Sequence, residues 1–231
     1  MMRLSFALIA VAVQAGSVAP EEVKQKTFFS PHQAAEALFA AVQGGDDQAL
    51  ALLFGGDTDV LSSGDKLEDA RDRKTFVTKY REMHRIARED GGAVLYIGAE
   101  NWPFPVPLAV QNGSWFFDTL GGRREIVLRR IGENELSTIN LCQSLGSSDD
   151  QQILGNTAPV NGYLFRKLQA PGKGASASFL AYPAEYGSSG IMTFVVGPQG
   201  VVYERDLGPR TVQIASTMKR AAVDGSWHAL Q

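Results

Sequence analysis

Residues 102–107 read WPFPVP, with prolines at 103, 105 and 107 alternating with Trp102, Phe104 and Val106. Proline has no backbone donor, so a strand that carries it belongs at a sheet edge or at a break. In an extended chain, alternate N–H groups point to the same side and alternate side chains to the same face. The three prolines therefore strip donors from one edge only. Trp102, Phe104 and Val106 keep theirs on the other edge and share one face that can pack on a core. This pattern predicts an edge strand whose free side cannot template another chain, with a polyproline II loop as the alternative.

The hydrophobic period around this stretch places it in a mixed fold. Ser30 followed by Pro31 reads as a cap and first helical position, and Ala34, Ala35, Leu38, Phe39 and Val42 make an apolar stripe at helical spacing. A second short helix is expected over DDQALALLF. A third is expected over about 67–89, where Phe76, Tyr80, Met83 and Ile86 recur at three and four. From residue 93 the period becomes strand-like, in AVLYIGAE, WPFPVPLAVQ and SWFFDT, with QNGS as a hairpin signal. A fourth helix is expected over about 123–145, with Ile126, Ile131, Leu136, Ile139 and Leu145 apolar. Gly132 weakens it by about 1 kcal/mol relative to alanine, enough for a bend.

Beyond residue 160 come GYLFRKL, SFLAYPA, IMTFVVGPQGVVYERDLG, a helix over TVQIASTMKRA and a last strand in SWHAL. The expected fold class is α+β. Residues 27–145 form N-terminal helices packed on a curved, cone-like antiparallel sheet, 146–159 a linker, and 160–231 a smaller antiparallel α+β unit. Three helices leading into a curved sheet is similar in order to the cone of the nuclear transport factor superfamily.

Residues 1–19 have one arginine, a short apolar run and a small-residue exit, the pattern of an export signal with cleavage expected near Ala15. The apolar run is about half the ~20 residues a bilayer span needs. The expectation is thus a periplasmic or secreted protein with no membrane span after cleavage. The formal charge of −3, with basic residues scattered among acids, removes the footprint of a nucleic-acid binder. The single cysteine, Cys142, excludes an internal disulfide and is expected to be buried on a helix.

Several long blocks in fixed order carry a family resemblance. They are SSGD (62–65), WPFPVPL (102–108), WFFDTLGGRREIVLRRIGENEL (115–136), GYLFRKL (162–168) and AYPAEYGSSGIMTFVVGPQGVVYERDLGPRT (181–211). Together they resemble the bacterial exported family catalogued as domain of unknown function 2950. Between the fourth helix and GYLFRKL that family usually carries a longer, aromatic-rich insert, where this chain has a short Ser, Asp and Gln-rich segment. The resemblance implies export and supplies no catalytic residues.

Chemistry must then be sought in the residues themselves. His32, His84 and His228 lie in different elements, and His84 is expected on a solvated helix face, so no metal site is expected. Asp57, Asp59 and Asp65 fail the calcium-loop pattern, which wants an oxygen ligand where Leu61 stands and glycine where Ser62 stands. YGSSG precedes a strand and reads as a loop rather than a nucleophile elbow. Arg123, Arg124, Arg129 and Arg130 are anion-binding candidates. Against that, Glu125 with Arg129 and Arg130 with Asn134, at i,i+4, read as a solvated helix face. No cofactor is expected. The leading function is a non-catalytic binding domain of the cell envelope, taking a small molecule or another envelope protein. The alternative is a hydrolase- or isomerase-type enzyme using a pocket lined by Trp102, Phe104, Trp115 and Phe117, with Asp118 as general base.

Overall fold

The computed structural model describes residues 23–57, 60, 62, 65–89, 91–145, 158–169, 179–197, 200–220 and 223–230. The expected export signal, most of the expected 146–159 linker, Asp59 and Leu61 lie outside these residues. The fold is α+β, with two antiparallel sheets.

The first half begins with helix α1, Pro31–Gly44, capped by the Ser30 hydroxyl, which accepts from the Gln33 amide at 3.2 Å. Helix α2, Asp47–Leu53, starts under the Asp46 carboxylate in the same way. Helix α3 is Lys66–Glu82, so it stops seven residues before the expected end. Met83 is extended, and His84–Glu89 forms strand β1 paired with β2, Gly92–Ile97. Glu89 and Gly92, expected to end a helix, thus face each other as a cross-strand pair. Cross-strand pairing outweighs the helical recurrence of Met83 and Ile86. His84 sits on this strand rather than on a helix, with its ring stacked on Tyr80 at 4.0 Å.

The proline segment divides in two. Strand β3, Trp102–Pro103, and strand β4, Leu108–Gln111, both pair with β2, with a bend at 105–106 between them. As the alternation of donors requires, the Phe104 amide reaches Leu95 O at 2.7 Å. The opposite side is not a free edge. Pro103 O accepts from Arg129 and Pro107 O from the Asp118 amide, so the covering is done by the neighbouring helix. Phe104 and Val106 are buried, whereas Trp102 is 42% exposed. Strand β5, Ser114–Phe117, closes the sheet through a two-residue turn in which Asn112 and Gly113 both have positive φ.

Helix α4 runs from Thr119 to Leu145, through Gly132 and starting earlier than expected. Its first turns lie against the proline segment. A Cβ at Gly122 would stand 2.8 Å from Val106 Cγ2, so glycine permits this approach. Its later turns cover one face of the second sheet, where Cys142 joins Tyr163, Phe165, Phe194, Val196 and Val202 in one core. Leu136, read as part of the apolar stripe, is 65% exposed.

The second sheet has the order β10-β9-β8-β7-β6, from β6 Tyr163–Lys167, β7 Phe179–Pro183, β8 Met192–Val196, β9 Val202–Asp206 and β10 His228–Ala229. Helix α5, Thr211–Thr217, and Trp227 cover the face opposite α4. Strands β7 and β8 are therefore buried on both sides, which accounts for their largely apolar runs, interrupted in β8 by Thr193. Among the described residues no helix is long and apolar enough to cross a membrane.

The second sheet is tied to α4 by one carboxylate. Glu135 Oε1 accepts from the amides of Ile191 and Met192, both at 2.9 Å, and the Tyr163 hydroxyl stands 3.4 Å away. Asn134 donates to Ser189 O at 2.9 Å and Arg130 to Ser188 at 3.3 Å. Arg130 and Asn134 thus bind the 185–190 loop rather than each other. Replacing Glu135 by alanine strands two amides, and the expected loss in urea unfolding is about 2–4 kcal/mol. Glu135→Gln keeps an acceptor oxygen and should lose about half as much. Equal stability of the alanine variant and the parent would contradict this role.

Candidate functional site

The first half holds a pocket of about 470 Å³ between α1, α2, α3, the first sheet and the start of α4. Its size falls within the range of small-molecule sites, roughly 300–1,000 Å³. The buried part of its lining is apolar: Leu38, Leu50, Val60, Phe76, Ile97 and Phe104. Phe76 and Phe104 meet edge to face, with ring centroids 5.6 Å apart. Val42, Ile126 and Pro105 continue this surface outward, and Trp102 stands at the mouth.

The pocket exists because α3 is a polar helix. It buries only Phe76 and Tyr80. Its other residues on the lining are Asp69, Asp72, Arg73, Thr75 and Lys79. Charged side chains at these positions stay with water rather than fill the space above Leu38 and Phe104. The ionisable groups of the lining, which we call its rim, are all half-buried or exposed, and none is among its buried residues, the apolar floor. Arg73 pairs with Asp47 and Lys79 with Glu100, each at 2.8 Å, and Asp69 accepts from the Ser62 hydroxyl at 2.8 Å.

The structure brings only part of the sequence-derived set to this pocket. Trp102 and Phe104 line it; Trp115 and Phe117 are not on its lining. Phe117 is fully buried, 5.2 Å from the ring of Phe54 and 6.4 Å from that of Phe104. Trp115 exchanges backbone hydrogen bonds with Phe28 at 2.8 Å, with Arg88 5.2 Å over its ring. Asp118 caps α4: its Oδ1 accepts from the Gly121 amide at 2.9 Å. Its backbone amide holds Pro107 O.

The four arginines are spread over different partners. Arg123 forms a forked pair with Asp57. Arg129 bonds Glu125 at 2.8 Å and Pro103 O at 2.7 Å, and lies 5.2 Å over Trp102. Arg130 goes to Ser188, and Arg124 is exposed. Three of the four guanidiniums thus serve as ties between segments.

Sequence reasoning missed the pocket wall supplied by α1, α2 and α3. The available signal was the inward face of α3, where Asp69, Asp72, Arg73, Phe76 and Lys79 recur at three and four. Outside the pocket, Cys142 is buried, and that burial pushes its thiol up to about 12. Burial, with Glu135 nearby, also pushes the Tyr163 phenol well above its ordinary range, so its hydroxyl stays a donor, reaching Met192 O at 3.0 Å. No group of three or more His, Cys, Asp or Glu suited to a metal ion occurs among the described residues.

The capping role of Asp118 gives a direct expectation. Asp118→Ala should lose about 1 kcal/mol of stability, while Asp118→Asn, an equally good cap, should lose little. Thermal unfolding of the two variants distinguishes them, and equal losses would show that the side chain does not act as a cap.

The family model described as Protein of unknown function (DUF2950) matches residues 25–154 and 147–230. No curated protein and no solved structure matches the chain. The chain belongs to the DUF2950 family.

Proposed function

We propose that this family member is an exported, non-catalytic binding protein of the cell envelope, and that its ligand is an apolar small molecule held in the pocket beneath α3. The observation that carries the reading is the division of the pocket into an apolar floor and an ionisable rim. A site for acid–base chemistry needs an ionisable group within hydrogen-bond reach of the reacting atoms. The floor here offers hydrocarbon and two phenyl rings. Asp118, the sequence-derived candidate base, is engaged as a helix cap and is not on the lining.

Export is supported by the N-terminal sequence alone: Arg3, the run LSFALIAVAV and the small residues that follow. An envelope protein that holds a water-insoluble compound in a shielded pocket is consistent with such an address.

The test uses N-phenyl-1-naphthylamine, a probe whose fluorescence rises in apolar surroundings. It should bind saturably at one per chain. Ile126→Trp or Val42→Phe, each of which adds bulk at the pocket wall, should reduce its affinity by at least about tenfold, the scale of a lost apolar contact. Phe29→Ala, at an exposed aromatic away from the lining, should leave it unchanged. Unaltered binding in both filled variants, with both still folded by circular dichroism, would overturn the proposal.

A further inference from the structure

We infer that the ligand is a cationic amphiphile, with an apolar body on Phe76 and Phe104 and an ammonium- or guanidinium-type head at the mouth beside Asp72. This rests on the pocket reading above and adds the sign of the head group. An unpaired charge at the apolar floor would cost far more than the contacts there return, so any charged end of a ligand stays at the rim. The rim is not symmetric in charge. Both cations of the lining already hold a carboxylate from beyond it, Arg73 with Asp47 and Lys79 with Glu100, and Arg129, over the ring of Trp102, holds Glu125, all at 2.8 Å.

An anionic head would have to compete with one of these pairs. The carboxylates of the lining itself are Asp69 and Asp72, three residues apart on one face of α3. Asp72 is exposed at the mouth and can meet a cationic head without breaking an ion pair seen in the structure. Trp102, 42% exposed, adds an indole that already carries one guanidinium, that of Arg129, over its face.

Displacement of N-phenyl-1-naphthylamine by amphiphiles of equal chain length, all below their micellar concentrations, tests the inference. Dodecyltrimethylammonium should displace the probe at about tenfold lower concentration than dodecyl sulfate in low salt, with dodecanol between them. The preference should shrink in 0.5 M sodium chloride. Asp72→Asn should reduce it by about threefold to fivefold, chiefly by weakening the binding of the ammonium. A preference for the sulfate, or a ratio that Asp72→Asn does not move, would overturn the inference and leave the apolar pocket standing. Failure of the probe to bind would remove both.

Discussion

A 27-residue helix spans about 40 Å at 1.5 Å per residue, long enough to lie against two sheets in succession, and α4 does so. Its first turns lie on the proline segment, where Gly122 admits Val106 and Arg129 takes the carbonyl of Pro103. Its later turns carry Cys142 into the core of the second sheet, and Glu135 holds the amides that open β8. Each sheet buries one face against other elements, α1 to α3 for the first and α5 with Trp227 for the second. What joins the halves is the run of contacts along this helix.

The same helix helps to shape the pocket. Ile126 reaches the lining from α4, and Arg129 leans over Trp102 at the mouth while paired with Glu125. The far wall is α3, which reaches the core with Phe76 and Tyr80 and turns charged residues to the rest of the gap. A helix with leucines at positions 69, 72 and 73 would close that space and bury more surface. The sequence leaves it open, with charge confined to the rim.

Local signals in the sequence translate directly into structure where the chemistry is local. The Ser30–Pro31 and Asp46 helix starts, the QNGS hairpin and the doubly buried runs in β7 and β8 are of this kind. Where a distant partner decides, local spacing misleads. Met83 and Ile86 fit a continued helix, yet His84–Glu89 pairs with Gly92–Ile97. Arg130 and Asn134 are spaced to pair on a helix, yet both turn to Ser188 and Ser189. For the site, alternation along a strand gives the face of a residue but not what lies above it. Trp102 and Phe104 border the pocket, while Phe117 is covered by Phe54 and Trp115 is joined to Phe28. The wall from α1 to α3 appears only once these helices are assembled.

The central claim is that the space beneath α3 is where this protein holds its ligand. A crystal soaked with 12-bromododecyltrimethylammonium, measured at the bromine absorption edge, addresses it directly. The account predicts one dominant anomalous peak between Phe76, Phe104 and Ile126, with the head group near Asp72. Bromine density at another surface, with the pocket unfilled, would contradict it.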